Sequence, residues 1–326
     1  MKVLVTGGAG YIGAVTAAHL IERGHGVRVL DALSTGPRAA VGSDAELVVG
    51  RIQDADVLVG ALDGIEAVIH FASLSLVGES VREPRKYFRE NVGGAVALLD
   101  AMATVGVSKL VFSSTAAVYG EPNVDVIDED TPLRPVNPYG HSKVMIERVL
   151  AEEARAKGLS AMALRYFNAC GADGPRGEHH DPETHLIPRL CRMLLGTLDG
   201  EFKIFGEDHP TPDGTPIRDY VHVIDLASAH ALALEALGEP GFEALNLGTG
   251  HGASVKEVLA AAVAVTGATI PMSVGPRREG DPPRLVASNA RARARMGWEP
   301  AASSMERILS DAWQWHREHP GGYESG

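Results

Sequence analysis

The first 31 residues constrain this chain more than any other stretch. Lys2–Val5 is a short apolar β run, followed by glycines. A helical pattern runs from Tyr11 to Arg23 and stops at Gly24, and Val27–Leu30 is a second apolar run ending in Asp31. A β–glycine loop–α–β unit of this size begins a parallel sheet with a crossover helix. Gly7-x-x-Gly10-x-x-Gly13 alone is weak. With 37 glycines in 326 residues, chance supplies the spacing about 0.5 times per chain, so context has to carry it. Here the glycines lie between first strand and first helix, where a diphosphate meets backbone N–H groups and the positive helix end. Asp31 closes the second strand. A carboxylate there binds adenosine ribose hydroxyls and repels a 2′-phosphate, which favours NAD over NADP.

Further apolar runs without alternation stand at 47–49, 67–71, 110–112 and 161–164, with helical patterns at 54–62, 87–104 and 139–157 between them. Strands that lack alternation are buried on both faces. The expected class is α/β, a Rossmann-type doubly wound parallel sheet. After Cys170 the texture loosens: Gly171–Pro182 is rich in Gly, Pro, Asp and His, and Pro210–Pro216 holds three prolines and an Asp-Gly turn. A nucleotide-binding domain over 1–170 and a smaller C-terminal α+β domain over 171–326 are expected. About 222–250, a helix followed by a strand, should return to the first domain. A last helix is expected from Met305 to His319, and there is no internal repeat.

Composition excludes several classes. Thirty Lys+Arg against 42 Asp+Glu give a net charge of −12, the wrong sign for a nucleic-acid binder. Two cysteines, Cys170 and Cys191, are too few for a disulfide framework. The N-terminal segment does not read as a signal peptide, and the longest apolar stretch, Val258–Val265, is far short of a membrane span. A soluble cytoplasmic protein with no membrane partner is expected. The 13 histidines show no metal-binding spacing, and His179-His180 reads as an exposed loop pair, so no metal is expected.

Tyr139-x-x-x-Lys143 places a phenol and an ammonium on one helix face behind Pro138, a residue suited to the first helical turn. Thr115 falls just beyond the run Leu110–Phe112, at the carboxyl edge of the sheet, where α/β proteins bind ligands. A free phenol titrates near 10 and is a poor base at neutral pH. Lowering it by roughly three units takes about 4 kcal/mol of differential stabilisation, which a nearby ammonium and a cationic nicotinamide both favour. Tyr139 can then remove a hydroxyl proton as hydride leaves the same carbon, with Thr115 sharing the hydrogen bond.

Taken together these residues resemble the extended short-chain dehydrogenase/reductase family. The segments GGAGYIG (7–13), HFASLSLVGES (70–80), FSSTAAVYG (112–120), NPYGHSK (137–143), LRYFNACGA (164–172), TPDGTPIRDYVHVIDLA (211–227), NLGTG (246–250) and RREGD (277–281) are similar in order and spacing to its UDP-glucose 4-epimerase branch. The resemblance implies an NAD-dependent isomerase that interconverts UDP-glucose and UDP-galactose. C4 would be oxidised to a 4-keto sugar, which turns over and is reduced on its other face. Thr115, Tyr139 and Lys143 would be catalytic. Gly7, Gly10, Tyr11, Ile12, Gly13, Asp31, Ile52, Phe71, Ala72, Ser73, Asn91, Ser113 and Tyr166 would contact NAD, together with Tyr139 and Lys143. Asn168, Arg218 and Arg278 would hold the UDP diphosphate and Phe205 would line the uracil pocket. His185 and Leu186 would lie nearby, and Asp281 would bind the uridine ribose. Without the resemblance, Arg218–Asp219 and Arg277–Asp281 read as solvated surface charge.

The chain departs from that branch at three cofactor positions. Arg51 stands where many members carry Asp, leaving room for NADP or for stacking on adenine. Ser75 replaces a Lys, and Ala32 an Asn. Three rival functions remain. A 4,6-dehydratase or UDP-glucuronate decarboxylase would carry acidic residues just after Thr115, where this chain has Ala116-Ala117. A UDP-hexuronate or UDP-N-acetylhexosamine 4-epimerase stays open, with Leu285 an intermediate-sized residue at the sugar-pocket position. A nucleotide-sensing regulator would need no Thr–Tyr–Lys set. The family implies a homodimer through the helices at 87–104 and 139–157. Val96, Leu99, Ile146, Val149 and Leu150 would form their apolar faces, which core packing explains equally well.

Overall fold

A computed structural model describes residues 1–278 and 282–323. The first half alternates strand and helix. In chain order it contains β1 (Lys2–Thr6), α1 (Tyr11–Glu22), β2 (Gly26–Asp31), β3 (Glu46–Val49), α2 (Ala55–Ala61) and β4 (Ala67–His70). Next come α3 (Val77–Arg82), α4 (Pro84–Tyr87), α5 (Gly94–Val105), β5 (Lys109–Thr115), α6 (Pro138–Lys157) and β6 (Ser160–Tyr166). The periodic segment expected at 87–104 is not one plain helix: a π turn over Phe88–Gly93 joins α4 to α5. Thr115 is the last residue of β5, in register with Tyr166, rather than a residue beyond the strand.

The second half is built of shorter pieces. They are β7 (Asn168–Cys170), β8 (Ala172–Asp173), β9 (Arg176–Gly177), α7 (Leu186–Leu194), β10 (Phe202–Phe205), β11 (Ile217–Arg218), β12 (Tyr220–His222), α8 (Val223–Ala236) and β13 (Gly241–Leu247). After them come β14 (Ala253–Ser254), α9 (Val255–Thr266), β15 (Met272–Gly275), β16 (Arg284–Leu285), α10 (Ala290–Met296) and α11 (Met305–Glu318).

The central sheet has seven parallel strands in the order β13-β6-β5-β4-β1-β2-β3. This is the doubly wound class expected, and β13 pairs with β6 at the sheet edge. The chain runs outward from β1 through β2 to β3, then crosses back to β4 on the other side of β1. The loops after β1 and β4 therefore diverge at the topological switch point, where open α/β sheets leave a ligand crevice. β1, β4 and β6 are buried along almost their whole length because helices cover both faces. One face packs Val3, Val5, Val29 and Ile69 with Leu20 of α1 and Leu226 and Leu234 of α8. The other packs Leu4, Leu30, Val68 and Leu110 with α2, α5 and α6.

Of the apolar residues offered for pairing two copies, Leu99, Ile146 and Leu150 are buried in that second core layer. Val96 on α5 is exposed, and so is Met145 on α6. The i, i+4 stripe that looked like a surface is the face by which each helix packs on the sheet. Among the described residues, no helix is long and apolar enough to cross a membrane.

Candidate active site

The glycine loop is shaped by close backbone approach. A Cβ at Gly7 would meet the backbone N of Ala72 at 2.5 Å, and Gly7 has φ +73°. A Cβ at Gly13 would lie 2.4 Å from the Gly7 carbonyl oxygen. The first turn of α1 thus presses on the loop, and the loop presses on the strand end at Phe71–Ala72. Gly10 caps α1 with no side-chain hydrogen bond, so the first-turn N–H groups of Tyr11, Ile12 and Gly13 face the crevice without a capping oxygen. An anion is the natural acceptor there. The Asp31 carboxylate accepts from Ala9 N at 2.9 Å and Leu33 N at 2.8 Å, which fixes it at the end of β2. Burial raises its pKa, and those two N–H bonds pull it back. These donors and this carboxylate fit a dinucleotide of the NAD type, and bound NAD would supply a reversible hydride acceptor.

Tyr139 and Lys143 start α6, whose N-cap Asn137 accepts from Gly140 N at 2.9 Å. Lys143 is 1% exposed. Its ammonium donates to Ser73 Oγ and to the Ser113 carbonyl oxygen, both at 2.9 Å, and lies 5.8 Å from the centre of the Tyr139 ring. Burial pulls the amine down to about 7, with Glu147 opposing. Burial pushes the Tyr139 phenol up to about 12, while its hydrogen bond with Thr115 lowers it. The three expected catalytic residues are therefore together at the carboxyl ends of β4 and β5. Ala116 and Ala117 follow Thr115 as a short 3₁₀ turn and bring no acid or base.

Several of the residues expected to contact NAD stand at the same strand ends. Ser113 Oγ and Tyr166 OH share a short hydrogen bond. Phe71 packs 4.6 Å from the ring of His230, and Ile52 is buried beside Gly94. Two residues are spent differently. The Tyr11 hydroxyl donates to the Gly171 carbonyl at 2.7 Å, tying the start of α1 to the chain after β7. The Asn91 side chain, in the π turn, bonds Leu74 N, Leu74 O and Ser142 Oγ, so it braces the Ser73 loop against α6. Arg51 forms an ion pair with Glu90 at 2.7 Å.

The residues expected to bind the UDP-sugar lie in the second half of the chain. Arg278 stacks its guanidinium 4.0 Å from the centre of the Phe205 ring. Arg218 on β11 is in register with Leu285 on β16. Asn168 is exposed, and its N–H bonds the Asp219 carbonyl at 2.9 Å. Asp219 corrects the expectation of solvated charge: it is fully buried and accepts from Thr249 N, Thr249 Oγ1 and Ala287 N. It is the anchor that sets Arg218. His185 is exposed and Leu186 half-buried at the start of α7. Asp281 lies outside the described residues. His179 and His180 are not an exposed pair either: both are partly buried, and His180 faces two buried carboxylates.

Sequence reasoning missed the support behind the site. Glu147 lies four residues beyond Lys143 on the same face of α6 and is buried against Arg165, with bonds of 2.6 and 3.0 Å. Ser114 donates to Glu147 at 2.6 Å, and Arg165 donates to Tyr119 at 2.9 Å. The spacing Tyr139, Lys143, Glu147 was a visible signal. His70 and His230 were not legible. Burial lowers them to about 3 and about 4, so both rings are neutral at the crevice floor, with Lys143 adding to the effect on His70.

A glycine cradle at the switch point, feeding a buried Tyr–Lys pair beside a threonine hydroxyl, defines a nicotinamide-dependent enzyme of the short-chain dehydrogenase/reductase class. Residues 3–248 match the NAD dependent epimerase/dehydratase family, and the chain belongs to it. It is 49% identical to a UDP-glucose 4-epimerase of Lactobacillus helveticus over 99% of both chains. It is 46% identical to the crystallised UDP-glucose 4-epimerase of Brucella ovis in complex with NAD, with TM-score 0.93 over 96% of this chain and 97% of that one. The Bifidobacterium longum UDP-glucose 4-epimerase in complex with NAD+ and UDP is 34% identical, with TM-score 0.93 over 99% and 100%.

Proposed function

We propose that this chain is an NAD-dependent isomerase interconverting UDP-glucose and UDP-galactose. The observation that carries the reading is the hydrogen-bonded Thr115–Tyr139 pair with the buried Lys143 beneath it, followed by apolar Ala116-Ala117. Bound NAD supplies the hydride acceptor and donor for the sugar's C4. Tyr139 takes the 4-hydroxyl proton and later returns it. Thr115 orients that hydroxyl, and the Lys143 ammonium favours the phenolate. With no acid or base next to Thr115, the keto sugar has no group positioned for elimination or decarboxylation.

The glycine loop with the N–H groups of Tyr11, Ile12 and Gly13 holds the cofactor diphosphate, and Asp31 its adenosine ribose. The phosphates of UDP are neutralised by Arg218 and Arg278, with Asn168 beside them, and Phe205 and Leu186 border the uracil. Arginine suits that task because its planar fork meets phosphate oxygens two at a time. Binding energy concentrated on UDP leaves the sugar ring free to present either face. In this reading residues 1–170 and about 222–250 carry NAD, and 171–326 carry UDP-sugar. The protein works in the cytoplasm as a homodimer through α5 and α6, where Val96 and Met145 are exposed; sedimentation at a sedimenting mass of one chain would remove the dimer.

The test is incubation of purified protein with UDP-glucose, UDP-galactose, their N-acetylated forms and UDP-hexuronates, followed by product identification. The C4 epimer of UDP-glucose is expected. A keto-deoxy sugar, a pentose or no turnover of any UDP-hexose overturns the reading.

A further inference from the structure

We propose that Glu178, His180, Glu183 and His185 form a binding site for one divalent transition metal of the zinc class. The four residues lie on the segment between β9 and α7 and include none of Thr115, Tyr139 and Lys143. One ligand atom from each falls within 4.8 Å of all the others. His180 Nδ1 is 3.4 Å from Glu178 Oε1 and 3.7 Å from Glu183 Oε2, and His185 Nδ1 is 3.5 Å from Glu183 Oε1. With metal–ligand bonds of 2.0–2.1 Å, the edge of a tetrahedron is about 3.3 Å; the His180 spacings to Glu178 Oε1 and Glu183 Oε2 come near it, while His185 meets the other oxygen of Glu183 and would turn to reach the ion. The fourth contact, His185 Nδ1 to Glu178 Oε1, is shorter at 2.7 Å and would open as a metal entered.

Burial supplies a second, independent sign. The Glu183 side chain is 2% exposed and the Glu178 side chain 6%. One oxygen of Glu183 accepts the His185 N–H at 2.8 Å. The other, Oε2, is out of reach of solvent and has no hydrogen-bond donor, and neither does His180 Nδ1. Two carboxylates taken out of water need compensating charge; His180 and His185 stand as their ion-pair partners here, but Glu183 Oε2 and His180 Nδ1 face each other at 3.7 Å, too far for a hydrogen bond. A dication between them would give Glu183 Oε2 and His180 Nδ1 a shared partner.

The donor set fixes the metal class. Two imidazoles with two carboxylates suit a four-coordinate zinc-type ion. Calcium and magnesium call for oxygen ligands at higher coordination number. His180 and His185 are the more exposed members and give an entry path from solvent. The ion would tie the start of α7, where His185 and Leu186 stand, to the chain leaving β9. Gly171, just ahead of β8, already holds the Tyr11 hydroxyl.

The experiment uses untagged full-length protein, stripped with chelator and desalted, then given zinc chloride and dialysed with excess magnesium present. Metal content is read by mass spectrometry and thermal unfolding is followed in parallel. One zinc per chain is expected, with a melting temperature a few degrees above that in chelator, as for any ligand bound only by the native state. His180→Ala and Glu183→Gln should each weaken zinc binding at least about tenfold, since losing even an outer-shell partner costs that much. Their melting temperatures with and without zinc should become equal. His180→Ala removes a partly exposed ring and keeps the test valid if Glu183→Gln does not fold. A parent chain without stoichiometric zinc, zinc retained equally by His180→Ala, or zinc displaced by magnesium overturns the proposal; the first would leave the four residues as an ion-paired cluster. None of these readouts depends on epimerase activity, so failure here is separate from failure of the proposed function.

Discussion

The ammonium of Lys143 donates to the main-chain carbonyl of Ser113 at 2.9 Å, so a helix side chain is locked onto the strand that ends in Thr115. With the Ser114–Glu147 and Thr115–Tyr139 hydrogen bonds, it joins the two elements that carry Thr115, Tyr139 and Lys143. It holds a cation under the phenol at a depth where water does not compete.

Tyr139→Phe tests the base. Burial has pushed the phenol up to about 12, so it works only where a cation stands close. Removing the hydroxyl should lower kcat by at least about 10²-fold, the lower end for a general base. UDP affinity measured by calorimetry should be unchanged. A Phe variant with near-parent kcat would refute the role.

Lys143→Met separates catalysis from stability. An unfolded lysine titrates near 10.5, and the buried amine titrates near about 7. A base whose pKa falls on folding makes folding less favourable wherever the unfolded chain is protonated. That cost is complete below pH about 7 and fades as pH rises toward 10.5. The cofactor-free parent should therefore gain stability between pH 7 and 10 from this group, and the Met variant should lack that component. At pH 7 the variant should melt higher, yet turn over at least about 10²-fold more slowly because the phenolate has lost its cation. Melting curves and initial rates across pH check both halves.

Glu147→Gln should be costly although Glu147 meets no substrate. Arg165 and Glu147 are 6% and 3% exposed and bonded at 2.6 Å. Leaving one buried charge without its partner costs about 3–5 kcal/mol. The melting temperature should drop sharply, and a double change to Glu147→Leu with Arg165→Met should recover much of the loss. Equal melting of Glu147→Gln and parent would show that the pair is not buried in solution.

Gly13→Ala probes the cradle. The new Cβ would sit 2.4 Å from the Gly7 carbonyl oxygen, so the loop must move away from α1. The first-turn N–H groups would then miss the diphosphate. NAD affinity by titration should fall at least about tenfold, equivalent to about 1.4 kcal/mol. An alanine variant that binds NAD like the parent would show that the glycine serves the turn alone.

Local pattern determined much of this protein. The β–glycine–α–β opening, the unalternated strands and the Tyr139–Lys143 spacing are set by neighbours in the chain, because helix and strand periods and tight turns are short-range properties. They defined the parallel sheet and the Tyr139–Lys143 pair. The π turn at Phe88–Gly93 was hidden, since nothing local separates it from an ordinary helix; it sits where Asn91 reaches both the Ser73 loop and Ser142. Which apolar stripe faces the core was equally undetermined. Leu99, Ile146 and Leu150 turned out to cover the sheet, because burial depends on what another part of the chain brings alongside.

Charge was the least legible property. Asp219 read as solvated surface charge and Glu147 drew no reading at all, yet each is buried, one by Thr249 and Ala287 and the other by Arg165. The pairing of Arg278 with Phe205 spans 73 residues, and the Glu178–His185 cluster forms only because β9 and α7 hold its segment folded. Sequence supplies the chemical groups and their local order. Desolvation, and with it the pKa of Lys143 and the availability of a carboxylate to a metal, exists only once distant segments exclude water from the same place.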